Sequence, residues 1–96
     1  MVVLVTYDVA TTSEDGRRRL RRVAGACLDF GQRVQNSVFE CNVSWEQWTR
    51  LKIRLIREIK PKEDSLRFYF LGNNWRRRVE HHGVDRGVDL EGPLIT

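Results

Sequence analysis

Cysteine and proline are both scarce in this chain of 96 residues, with two of each. Cys27 and Cys41 show no metal-ligand spacing and nothing requires them to pair, so neither a cysteine-based metal site nor a disulfide framework is expected. Cys27 falls on an apolar helical stripe and reads as a small core residue. Long hydrophobic runs are missing too. The apolar stretch that opens the chain is five or six residues long, against about 20 needed to cross a bilayer, and no signal peptide is expected. No membrane association is expected, and the expected location is the cytoplasm. Lysine is the third scarcity, limited to Lys52, Lys60 and Lys62 beside fourteen arginines. Lysine serves solubility as well as arginine does, whereas the planar guanidinium meets phosphate through two parallel hydrogen bonds. With a net charge of +4 and a pI near 9.6, that skew favours a polyanionic partner.

The length allows one domain, and a chain this short buries only about 60–68% of its unfolded surface. Oligomerisation is the usual remedy for so marginal a core. A hydrophobic content of 41% with 31% charge excludes a disordered chain.

Residues 2–7, V-V-L-V-T-Y, form a strand apolar on both faces. A polar loop follows, in which Thr11 and Glu14 make a capping box for a first helix. The apolar stripe of that helix is Leu20, Val23, Ala24, Cys27 and Leu28, and Gly31 ends it. Residues 33–41 are strand-like. Ser44 and Gln47 cap a second helix with the stripe Trp48, Leu51, Leu55, Ile56 and Ile59, stopped by Pro61. In the strand 65–71, Leu66, Phe68 and Phe70 point inward against Arg67 and Tyr69, and 78–83 is a shorter strand. These elements fit the α+β, ferredoxin-like βαββαβ plan, with two helices on one face of a four-stranded antiparallel sheet. The bare second face calls for a homodimer packed sheet to sheet. Residues 1–83 are then the domain, and 84–96 an extension whose strand is exchanged with the partner.

Asp8 closes the first strand. Shortly after it, five of the six residues at positions 17 to 22 are arginine, and no acid lies between positions 16 and 28 to relieve their repulsion. With Leu20, Val23, Ala24 and Cys27 inward, Arg17, Arg18, Arg21 and Arg22 project to the flanks and outer face. A solvated face explains that geometry; a phosphate partner also explains the tolerated repulsion. As an isolated acid, Asp8 most simply forms a turn or caps a helix. A two-fold dimer would bring two copies of it to one cleft. His81 and His82, neighbours on a strand, face opposite ways and do not form one catalytic pair. Phe68, Tyr69 and Phe70 lack the interleaved glycine of an RNA-recognition strand and read as core. Trp45, Trp48 and Trp75 read as core or subunit-contact residues.

The strand V-L-V-T-Y-D-V, the basic first helix, the segment R-V-Q-N-S-V-F-E-C and an aromatic strand followed by a short strand and an extension resemble the CRISPR-associated protein 2 family over essentially the whole chain. The resemblance implies the ferredoxin-like fold, a homodimer and Mg²⁺ or Mn²⁺ held at the strand 1 aspartate. It also implies endonuclease activity on RNA or double-stranded DNA, and a bridging role with the CRISPR-associated integrase in spacer acquisition. Asp8 matches the metal-binding, catalytic acid. Arg33 and Phe39 match the second motif, Arg17, Arg18, Arg19, Arg21 and Arg22 match a basic segment, and these five arginines with Arg33 are the candidate nucleic-acid-binding residues. Tyr7, Ser37 and Phe39 are candidate supporting residues. Two alternatives stay open: a non-catalytic DNA-binding dimer bridging integrase subunits, and a toxin-like ribonuclease of the same fold.

Overall fold

Val3, Val5 and Tyr7 are buried while Val2, Leu4 and Thr6 are half-buried, so the first strand, β1 (Val2–Asp8), is enclosed on one face and partly open on the other. The computed structural model describes residues 1–72 and 79–84. After β1 come α1 (Glu14–Leu28), β2 (Gln32–Gln35), β3 (Val38–Asn42), α2 (Trp45–Glu58), β4 (Ser65–Phe70) and β5 (Val79–Gly83). The strands form one antiparallel sheet in the order β2-β3-β1-β4-β5. The first six elements make the expected ferredoxin-like plan, and β5 adds an edge strand beside β4. The sheet thus has five strands rather than four, because residues 33–41 are not one strand. Asn36 and Ser37, both turn-formers, fold that segment into the β2–β3 hairpin.

Both helices cover the same face. Val23, Ala26 and Cys27 of α1 and Trp48, Leu51 and Leu55 of α2 share one core with Val3, Val5, Phe39, Cys41, Leu66 and Phe68. The indole of Trp48 meets Phe68 and Phe70 edge-on, with centroids 4.7 and 5.5 Å apart, the geometry that aromatic quadrupoles favour. Burial pushes the Cys27 thiol up to about 12 and the Cys41 thiol up to about 11. Both cysteines are free, as expected of core residues.

α2 keeps its expected signals. Ser44 and Gln47 form a reciprocal capping box, and the helix ends at Ile59, two residues before Pro61. α1 differs in two respects. Its N-cap is Ser13, whose Oγ accepts the Gly16 amide at 3.0 Å, not Thr11. Its inward stripe is Gly16, Arg19, Val23, Ala26 and Cys27, so Leu20 and Ala24 lie at the margin and Leu28 is exposed. β4, unlike β1, is buried on both faces, with Arg67 and Tyr69 covered as well as Leu66 and Phe68. Trp45, expected in the core or at a subunit contact, is 72% exposed in the single chain. Trp75 and nearly all of the 84–96 extension lie outside the described residues. Among the described residues no helix is long and apolar enough to cross a membrane.

Candidate nucleic-acid and metal site

β1 delivers Asp8 to its exposed end. There Asp8 stands opposite Ser65 on the last rung of the β1–β4 ladder. Alternation along the strand gives Asp8 the face of Leu4 and Thr6, away from the helices, and gives Tyr7 the face that the helices cover. The β1 acid and the neighbouring tyrosine therefore do not act side by side.

Tyr7 belongs instead to a cluster that the β2–β3 hairpin assembles. Its ring stacks on Phe39 with centroids 6.1 Å apart, and the Arg33 guanidinium lies 4.8 Å from the Phe39 centroid. That arginine–aromatic contact is attractive through the ring quadrupole. Arg33 Nη1 and the Tyr7 hydroxyl both donate to the Asn36 carbonyl. Ser37 contributes its backbone, since its carbonyl accepts the Tyr7 amide at 3.1 Å. Burial raises the pKa of the Tyr7 hydroxyl above its ordinary value, with Cys27 adding to the effect and Arg33 opposing it. The hydroxyl thus stays protonated and donates. Arg33, Tyr7, Ser37 and Phe39 are brought together in one unit, and Arg33 keeps an exposed position.

The arginine run divides. Arg17, Arg18, Arg21 and Arg22 are exposed on α1. Arg17 donates to the Thr11 carbonyl in the loop that leaves Asp8, and Arg22 lies 3.9 Å from Glu58. Arg19 does not belong with them. It is 4% exposed and bound to Asp64, itself wholly buried. Its Nε donates at 2.8 Å to Oδ2 and its Nη2 at 3.1 Å to Oδ1, while Nη1 meets Asp15 at 2.6 Å. The five-residue reading of the basic patch is corrected to four, because the helix is rotated so that Arg19 replaces Leu20 on the inner stripe. Sequence inspection missed Asp64 altogether. Its one signal was an acid immediately before a strand, in D-S-L-R-F-Y-F.

The histidines separate as expected. His81 Nδ1 accepts from Arg67 Nε at 3.2 Å and its Nε2 lies 3.0 Å from the Gly83 carbonyl, whereas His82 sits on the other face against Glu80 and Phe68.

A sheet ordered β2-β3-β1-β4, two helices on one face, an acid ending the first strand and a basic first helix define a ferredoxin-like domain with an exposed cationic helix face. Residues 1–79 match the family described as CRISPR associated protein Cas2. The chain belongs to that family. It is 62% identical over 95 residues to the CRISPR-associated endoribonuclease Cas2 of Chlorobaculum tepidum, with 99% of each chain covered. It is 57% identical over 95 residues to the CRISPR-associated endonuclease Cas2 of Halalkalibacterium halodurans, again with 99% of each covered. Among solved structures it resembles Streptococcus pyogenes Cas2 at pH 6.5, with a TM-score of 0.70 and 60% identity over 83% of this chain and 96% of that one.

Proposed function

We propose that the protein is a metal-dependent endonuclease that hydrolyses phosphodiester bonds of RNA or double-stranded DNA as a homodimer. The same dimer would bind duplex DNA as an adaptor of the CRISPR-associated integrase. The observation that carries this reading is the placement of Asp8. It stands exposed at the end of β1, on the sheet face that the helices leave uncovered. Val2, Leu4, Val38 and Val79 are half-buried, and the ladder pairing puts them on that same face. A second copy packed there would bury them and bring two Asp8 carboxylates to one axis. The endoribonuclease and endonuclease names of relatives near 60% identity support the same activity class.

One chain supplies few ligands. Among the described residues no group of three or more His, Cys, Asp or Glu side chains is placed to hold an ion. Mg²⁺ nevertheless accepts one or two carboxylates, with water and substrate phosphate completing its shell, so the two Asp8 side chains of a dimer fit Mg²⁺ or Mn²⁺. Bound there, the ion would polarise a phosphoryl oxygen and lower the pKa of a coordinated water. The chain's own contribution is positioning. Arg17, Arg18, Arg21 and Arg22, exposed on α1, would neutralise phosphates of the bound nucleic acid, and Arg33, held by Phe39 and Asn36, offers a further exposed guanidinium.

One observation favours the non-catalytic adaptor as the second reading. His81 is engaged at both nitrogens and His82 lies on the opposite face, so neither serves Asp8 as a general base. The deciding experiment compares wild type with Asp8→Asn on RNA and duplex DNA in Mg²⁺, Mn²⁺ and chelator. Loss of the ion should cost about a thousandfold in rate, or some 4 kcal/mol of barrier. Cleavage that persists at full rate in Asp8→Asn or in excess chelator would falsify the nuclease reading.

A further inference from the structure

Asp64 gathers more of the chain than any ordinary surface acid could. Besides the two Arg19 nitrogens, its Oδ1 accepts the Ala10 amide at 3.0 Å and its Oδ2 accepts the Lys60 amide at 2.8 Å. Two carboxylate oxygens offer about four acceptor positions, and four donors occupy them. The Asp64 main-chain carbonyl accepts the Val84 amide at 2.8 Å. Gly83, at φ 97°, has no room for a side chain because a Cβ would come within 2.0 Å of that carbonyl. The loop after Asp8, helix α1, the turn before β4 and the end of β5 therefore converge on one buried residue.

That convergence is directional. Asp8 and Ser65 form the last backbone rung of the β1–β4 ladder, and the Asp64 side chain extends the ladder by one more bond to Ala10. The same carboxylate turns Arg19 inward, which fixes the rotation of α1 and sends Arg17, Arg18, Arg21 and Arg22 outward. Gly16 tightens the arrangement, since a Cβ there would lie 1.9 Å from the Ala10 carbonyl. Buried ion pairs are seldom explained by stability, because apolar replacements of similar volume are often neutral or better.

We infer that Arg19 and Asp64 are positioning residues: their bidentate pair sets the placement of the Asp8 carboxylate relative to the basic face of α1. The catalytic meaning of that placement rests on the nuclease reading above; the placement itself does not. Misplacement of a reacting group by about 1 Å can cost about a hundredfold in rate, so a pair that spans this loop and this helix controls the reaction without touching substrate.

The test replaces both partners, Arg19→Met with Asp64→Leu, so that no unpaired charge is left buried. Amide exchange and residual dipolar couplings are recorded for residues 8–11, with Val5 and Phe68 as core references. The expected result is lost protection at Ala10 and altered couplings at Asp8 and Val9, with the references unchanged. In a cleavage assay kcat should fall tenfold or more, with KM nearly constant, and direct Mn²⁺ affinity measured by water-proton relaxation should drop severalfold. Arg19→Lys, which keeps the charge and loses the fork, carries the same measurements if the double variant does not fold. Unchanged couplings and protection in a folded variant overturn the inference, as does an unchanged kcat where wild type is active. A wild type that neither cleaves nor binds Mn²⁺ refutes the nuclease reading instead, and the couplings still decide the placement.

Discussion

Arg67 and His81 face each other across the β4–β5 pair, with the guanidinium Nε donating to the imidazole Nδ1 at 3.2 Å on the sheet face away from the helices. Arg67 is buried, and its Nη1 has no acceptor among the described residues. Removing the histidine alone leaves further buried donors of a charged group unmet, at a cost of at least about 1–3 kcal/mol. Removing both partners takes the unmet guanidinium donors away as well, while the Gly83 carbonyl loses its imidazole contact in either variant. Urea denaturation should therefore show His81→Leu to be more destabilising than Arg67→Met with His81→Leu. The opposite order would mean that the pair contributes nothing specific.

The divided arginine run has its own signature. Replacing Arg17, Arg18 and Arg21 with alanine should flatten the plot of log K against log salt for duplex binding, by about 0.9 for each phosphate that is no longer neutralised. The thermal midpoint should barely move, as is usual for surface side chains. Arg19→Ala should do the reverse, lowering stability by about 3–5 kcal/mol because Asp64 is left buried and charged. A salt slope untouched by the triple change would return the exposed arginines to an ordinary solvated face.

Acid sensitivity should trace partly to Asp64. Burial works to raise its pKa, but the Arg19 hydrogen bonds and the Lys60 and Ala10 amides outweigh burial, so the folded carboxyl lies below its ordinary value. On unfolding it returns to about 3.9, so the unfolded state takes up the proton first. Its contribution is whole above that value and disappears as pH falls through the folded one. Asp15, beside Lys60 and Arg19, and Glu80, whose partners Lys52 and His82 outweigh its burial, are depressed in the same direction. Urea midpoints measured on descending from about pH 5 should fall less steeply in Arg19→Met with Asp64→Leu than in wild type. An equal fall would remove Asp64 from the cause of the acid sensitivity.

The dimer proposal makes a hydrodynamic prediction. If the segment beyond Gly83 adds a strand to a second copy, a chain ending there should sediment as monomer or aggregate, while the full chain forms a dimer with an interface above about 1,000 Å². A truncated chain that remains a stable dimer in the ultracentrifuge removes the strand exchange.

Periodicity in the sequence revealed the helices, the first strand and the α+β plan, because apolar spacing reports local geometry directly. It placed α2 almost to the residue, where Ser44, Gln47 and Pro61 are unambiguous signals. It missed the hairpin turn at Asn36–Ser37 because Val34 and Val38 continue an apolar rhythm across it. The phase of α1 was misjudged for a different reason. Hydropathy ranks Leu20 as inward and Arg19 as outward, and only a buried acid 45 positions away reverses the order. One motif held Arg33 and Phe39 but not Tyr7, which the fold adds to them, and no local pattern could have joined Ala10 to Asp64.

The two thiols in the core give the protein an internal clock. Only thiolates are alkylated. Cys27 and Cys41, wholly enclosed and held at about 12 and 11, offer almost none near neutrality. Each alkylation event then counts an excursion out of the folded state. Because Cys27 rides on α1 and Cys41 on β3, unequal labelling rates would distinguish a helix that lifts away by itself from a sheet that opens as a whole.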